Sequence, residues 1–123
     1  MRPDTENALL AVETTQDAAV VRFIESAVVL DGMNVPRMAE LLSSLVEKLR
    51  QERLILDFGN VRYISSTGLG ALVSLHKRAR AAGKRLTIRG ACQEVYEPFE
   101  ITRLTRLLDI RPREADGQSP AGS

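Results

Sequence analysis

Three hydroxyl residues in a row, Ser65, Ser66 and Thr67, lead directly into Gly68-Leu69-Gly70. Upstream, the apolar run Leu54-Ile55-Leu56 ends in Asp57, and Val61, Tyr63 and Ile64 close the gap. The hydroxyls stand where a helix must begin. A hydroxyl there can cap the helix by accepting from a free backbone N–H, and a phosphate there is stabilised by those N–H groups and the helix dipole. A glycine in a helix interior costs about 1 kcal/mol relative to alanine, so a pair of them gives up stability. What they provide is bare backbone that a phosphate or a partner can approach. The run therefore points to docking and modification, against the plainer alternative that the three hydroxyls only compete to cap the helix.

Other chemistries find little support. His76 is the single histidine, ten residues along the same helix from Ser66, roughly 15 Å at the helical rise. A nucleophile and its base must be about 3 Å apart, so a Ser-His pairing with Ser66 is excluded. One histidine and one distant cysteine, Cys92, supply no metal-ligand cluster. Gly68-Leu69-Gly70 alone is too short to signal a nucleotide loop. The basic run Lys77, Arg78, Arg80, Lys84 and Arg85 reads as a solvated face that opposes a helix dipole. Asp57 reads as a turn-bonding residue first and a contact residue second.

The elements that position these residues follow from periodicity. Ala8–Glu13 and Ala18–Phe23 read as a hairpin around Thr14–Asp17. Ala27–Leu30 either extends that hairpin or lines a loop, and Asp31-Gly32 marks a turn. Asn34 is the expected N-cap of a helix with Pro36 in its first turn. Its apolar face is Val35, Met38, Leu41, Leu42, Leu45 and Leu49. Leu54–Leu56 suits a central strand buried on both sides. The helix after the hydroxyls aligns Leu69, Leu72, Val73, His76 and Ala79, and Gly83 is its expected C′ residue. Lys84–Arg89 reads as a strand with Leu86 and Ile88 inward, Cys92–Glu97 as a short helix cut off by Pro98, and Leu107–Ile110 as a last strand. This order predicts an α/β fold, a mixed sheet of about five strands with amphipathic helices joined by right-handed crossovers.

Composition bounds the rest. A chain of 123 residues is one domain, expected over residues 8–111, with a loose start at 1–6 and a disordered tail at 112–123. With 17 basic and 16 acidic side chains there is no electrostatic footprint for nucleic acid. Two Tyr, three Phe and no Trp leave little for base stacking. No apolar run approaches the ~20 residues of a membrane helix. The N-terminus lacks the pattern of a signal peptide, and a single cysteine excludes an internal disulfide. A cytoplasmic location is expected.

The stretch from Leu54 to Gly70 resembles the signature of STAS-domain anti-sigma factor antagonists: a hydrophobic strand ending in Asp, a short turn, then Asp-Ser-Ser/Thr-Gly-Leu-Gly opening a helix. The resemblance extends from about Val20 to Ile110, and Leu30-Asp31 is similar to the family's Leu-Asp at the end of its early hairpin. It implies a STAS fold and a phosphate acceptor at Ser66, with Ser65 as second choice because serine stands where the family commonly has Asp. It also implies a partner surface at Asp31, Ser65, Ser66, Thr67, Gly68, Leu69 and Gly70. The implied partner is an anti-sigma factor that is also a serine kinase of the histidine-kinase-like ATPase type. The unphosphorylated form would bind it, phosphorylation would end the binding, and a metal-dependent serine phosphatase would restore it. No cofactor and no catalysis by this chain are implied. The alternative is a STAS scaffold that never switches, in a stress-sensing assembly or a lipid-transport complex.

Overall fold

The computed structural model describes residues 9–25 and 27–113. In chain order the elements are β1 (Leu10–Thr14), β2 (Ala18–Phe23), β3 (Val28–Leu30), α1 (Val35–Lys48), β4 (Arg53–Asp57) and β5 (Val61–Ile64), followed by α2 (Ser66–Ala81), β6 (Arg85–Ala91), α3 (Gln93–Ile101), a 3₁₀ turn (Leu104–Arg106) and β7 (Asp109–Pro112). Five strands form one sheet in the order β1-β2-β4-β6-β7, and β3 and β5 form a second, two-stranded sheet. β1 runs antiparallel to β2, whereas β2, β4, β6 and β7 are parallel. The mixed α/β sheet with amphipathic helices is the one the periodicity predicts.

β4 is central, but it is buried on one side only. In register, Ala19, Leu54 and Leu86 form one row and Val21, Leu56, Ile88 and Ile110 the next, and all of these side chains are buried. The alternate rows, Val20-Ile55-Thr87-Asp109 and Arg22-Asp57-Arg89, are half-exposed or exposed. Right-handed crossovers that always step the same way, β2 to β4 to β6 to β7, put their helices on one face. The expectation of a strand covered on both sides is therefore corrected: a run of three aliphatics does not say which face has a cover.

The helices hold four further corrections. Asn34 occupies the N-cap position of α1 but makes no capping bond; its Nδ2 donates to the Val29 carbonyl. Asp31 holds the turn before the helix instead, its Oδ1 accepting from the N–H groups of Met33 (3.0 Å) and Asn34 (3.3 Å). The α1 face that packs is Val35, Met38, Leu42 and Val46, flanked by partly buried Leu41, Leu45 and Leu49. In α2 the buried stripe is Gly68, Leu69, Leu72, Leu75 and Ala79, with Val73 and His76 only partly covered. Pro98 does not end α3, which runs on to Ile101. Fully buried Phe99 anchors the turn beyond the proline, which offsets the missing N–H.

Gly83, at φ +78°, follows the end of α2 as the expected C′ residue. Pro112 lies in β7, and the Arg113 N–H donates to the Ala91 carbonyl at 2.7 Å. The sheet thus takes in two residues assigned to the tail from sequence. The readings for residues 1–6 and 114–123 lie outside the described residues.

Candidate functional site

The site is assembled by the small sheet that the sequence leaves unread. Neither Ala27–Leu30 nor Val61–Ile64 is long enough to declare itself, yet β3 and β5 pair in parallel, with Leu30 opposite Ile64. One residue further, the Ser65 N–H donates to the Leu30 carbonyl at 2.9 Å. Asp31 and the hydroxyl run therefore leave adjacent strands at the same rim. The rim adds an unforeseen apolar component: Val29 and Tyr63 are paired in register and exposed to 38% and 53%, and Met33 to 89%. The signal that could have shown it is the β5 pattern, in which Val61 and Ile64 are buried and Arg62 and Tyr63 are not.

The first turn of α2 separates the hydroxyls. Ser65 is the N-cap, with extended backbone at φ −91° and ψ 174°, and its Oγ accepts from the Gly68 N–H at 3.2 Å. Ser66 and Thr67 are the first two helical residues, and both are exposed. Their own N–H groups belong to the turn that has no intrahelical acceptor. An acceptor oxygen added at Ser66 would lie on the positive end of a 16-residue helix.

The two glycines differ as well. A Cβ at Gly68 would meet Ile64 Cγ1 at 2.6 Å and the Leu30 carbonyl oxygen at 3.1 Å, so this glycine lets α2 close on the β3–β5 pair. A Cβ at Gly70 would meet nothing within 4 Å, so Gly70 leaves a bare patch on an exposed turn. Between them Leu69 is 8% exposed and belongs to the core. Asp57 fills its expected structural role: Oδ1 accepts from the Gly59 N–H at 2.9 Å, and Oδ2 lies 3.6 Å from Arg89 Nη2.

His76 stays apart from this chemistry. Its Nδ1 is buried with no hydrogen-bond partner among the described residues. Desolvation first, then the positive charges of Arg80 and Lys77, hold its pKa below the ordinary 6.5. Among the described residues no group of three His, Cys, Asp or Glu side chains could hold a metal ion, and no helix is long and apolar enough to cross a membrane.

Known proteins share both the sequence and the architecture. The STAS-domain family profile matches residues 10–117. An anti-sigma-B factor antagonist of Staphylococcus aureus is 33% identical over 99 residues, covering 79% of this chain and 87% of the relative. The crystal structure of an anti-sigma factor antagonist from Mycobacterium paratuberculosis superposes with a TM-score of 0.71 at 17% identity, covering 84% of each chain. The Bacillus cell fate determinant SpoIIAA, solved in its phosphorylated form, gives 0.59 at 17% identity over 82% of this chain and 89% of that one. A profile spanning nearly the whole described chain, a relative with a third of its aligned residues identical, and a matching fold agree: the protein belongs to the STAS-domain family of anti-sigma factor antagonists.

Proposed function

We propose that this chain is a non-catalytic, phospho-regulated antagonist that binds a kinase-type anti-sigma factor through the Asp31–Ser66 rim and is released when Ser66 is phosphorylated. The observation that carries the reading is the division between two neighbouring serines. Ser65 commits its hydroxyl to Gly68, while Ser66 presents its own to solvent. That favours Ser66 over Ser65 as acceptor. Exposed Val29, Met33 and Tyr63 give a partner apolar area on the rim that carries the hydroxyl. A phosphate adds about −1.5 to −2 charge at a helix end that tolerates it, so the fold persists while an apposed acidic or close-packed partner surface does not. A loss of ~3 kcal/mol weakens binding more than a hundredfold. A serine phosphatase closes the cycle. The solved phosphorylated relative supports the same chemistry on this fold.

The test is phosphate mapping on protein from its host, combined with binding of Ser66→Asp and Ser66→Ala variants to the candidate anti-sigma factor. The proposal expects phosphate on Ser66, a hundredfold loss for Ser66→Asp and near-normal binding for Ser66→Ala. Absence of phosphate under growth and stress conditions, with Ser66→Asp binding like the wild type, would favour a constitutive scaffold.

A further inference from the structure

Away from the rim, at the C-terminal ends of β4, β6 and β7, three arginines meet. Arg89, Arg111 and Arg113 line a hollow of about 440 Å³ together with Asp57, Gly59 and Gly90. None of the rim residues Asp31 and Ser65–Gly70 lines it. Each guanidinium is held by one neighbour. Arg89 Nη2 lies 3.6 Å from Asp57 Oδ2, and Arg111 Nε lies 3.3 Å from Asp109 Oδ1. Arg113 Nη2 donates to the Gly59 carbonyl at 2.7 Å. A guanidinium carries five N–H donors in a fixed fork, so every one of the three retains donors after its anchor. The side chains of Arg89 and Arg111 are 49% and 69% exposed. They are positioned but still open to solvent.

The floor is backbone. The β6–β7 register shifts between Ile88 and Ala91, and Gly90 takes up the irregularity at φ +78°. A Cβ there would stand 3.3 Å from Asp57 Oδ1 and 3.5 Å from the Gly59 nitrogen. Such irregularities commonly re-aim side chains beside a site. Asp57 is the one carboxylate among the lining residues, and with Asp109 beside Arg111 three guanidiniums against two carboxylates leave a formal charge of +1. Crowding like charges costs stability unless something compensates it. Planar forks around a hollow match the oxygen geometry of phosphate.

We infer that this hollow binds a phosphate dianion, either free or carried as the monoester of a small molecule. The inference is independent of the Ser66 switch. It is tested by amide NMR titration of the full chain with inorganic phosphate and, separately, with glycerol phosphate, at constant ionic strength. Saturable shifts at Gly59, Gly90 and Arg113 are expected, with little change at Ser66. Arg111→Gln with Arg113→Gln should weaken binding at least tenfold. A control pair with the same charge change, Arg37→Gln with Arg50→Gln, should retain it. Equal affinity for both probes would assign the site to free phosphate; tighter binding of glycerol phosphate would assign it to a monoester. Non-saturating shifts, or equal losses in the two double variants, would overturn the proposal.

Discussion

The hydroxyl of Ser65 accepts a hydrogen bond from the backbone N–H of Gly68 at 3.2 Å, and that contact gives two adjacent serines different tasks. Ser65 closes the first turn of α2, whereas Ser66 stands outside it. Removing a Ser cap costs ~0.5–2 kcal/mol, while exposed positions usually change stability by less than about 0.5 kcal/mol. Ser65→Ala is therefore expected to lower the urea midpoint clearly and Ser66→Ala to leave it almost unchanged. Equal effects of the two substitutions would contradict the capping assignment.

The glycines should respond in opposite directions. At Gly68 a methyl group meets Ile64 at 2.6 Å and the Leu30 carbonyl at 3.1 Å. Overpacking of this kind costs ~1–3 kcal/mol, so Gly68→Ala should destabilise the protein and loosen β3 against β5. Gly70 has open space around it, and alanine there gains up to ~1 kcal/mol of helix propensity. Thermal melts of both variants check the pair, and a stabilised Gly68→Ala would refute the close approach.

Lys84 joins three elements. Its Nζ donates to the carbonyls of Leu49 at 2.7 Å and Gln51 at 2.9 Å, tying the end of α1 and the approach to β4 to the start of β6. Hydrogen bonds from charged groups contribute about 1.5–3 kcal/mol. Lys84→Met should cost an amount in the lower part of that range, because the site is only partly buried. Hydrogen exchange should show faster opening at Arg53 and Arg85 in the variant, and unchanged protection there would count against the tie.

His76 makes stability depend on pH. Its folded-state pKa lies below the ordinary 6.5, chiefly through desolvation and then through Arg80 and Lys77. The unfolded chain takes the proton first, so the contribution is fully present above pH 6.5 and falls as pH drops toward the folded-state value. His76→Gln should flatten the stability profile in that window and leave it unchanged above. Denaturant titrations across the window give the slope, and a variant with the wild-type slope would remove His76 as its source.

Much of this was legible locally. Val35, Met38 and Leu42 recur at helical spacing, Ser65 to Gly68 carry a helix start, and Gly83 marks its stop, because each signal arises within a turn or two of backbone. The same stretch carried the family resemblance, and the STAS profile over residues 10–117 bears it out. Pro98 misled because a local rule met a distant anchor: Phe99 is fully buried, and its packing outweighs the lost N–H.

By itself the sequence determined the order of the three helices and the five strands of the main sheet, the hydroxyl run at a helix start and the family. Tertiary structure decided which serine is free, which glycine is packed and which sheet face is bare. It also paired β3 with β5, two strands of only three and four residues whose periodicity is too short to read, and thereby brought Leu30 and Asp31 to Ser65. Arg89 and Arg111–Arg113 met for the same reason. Local spacing fixes what a segment can become, but contacts between residues tens of positions apart exist only once the chain has closed on itself.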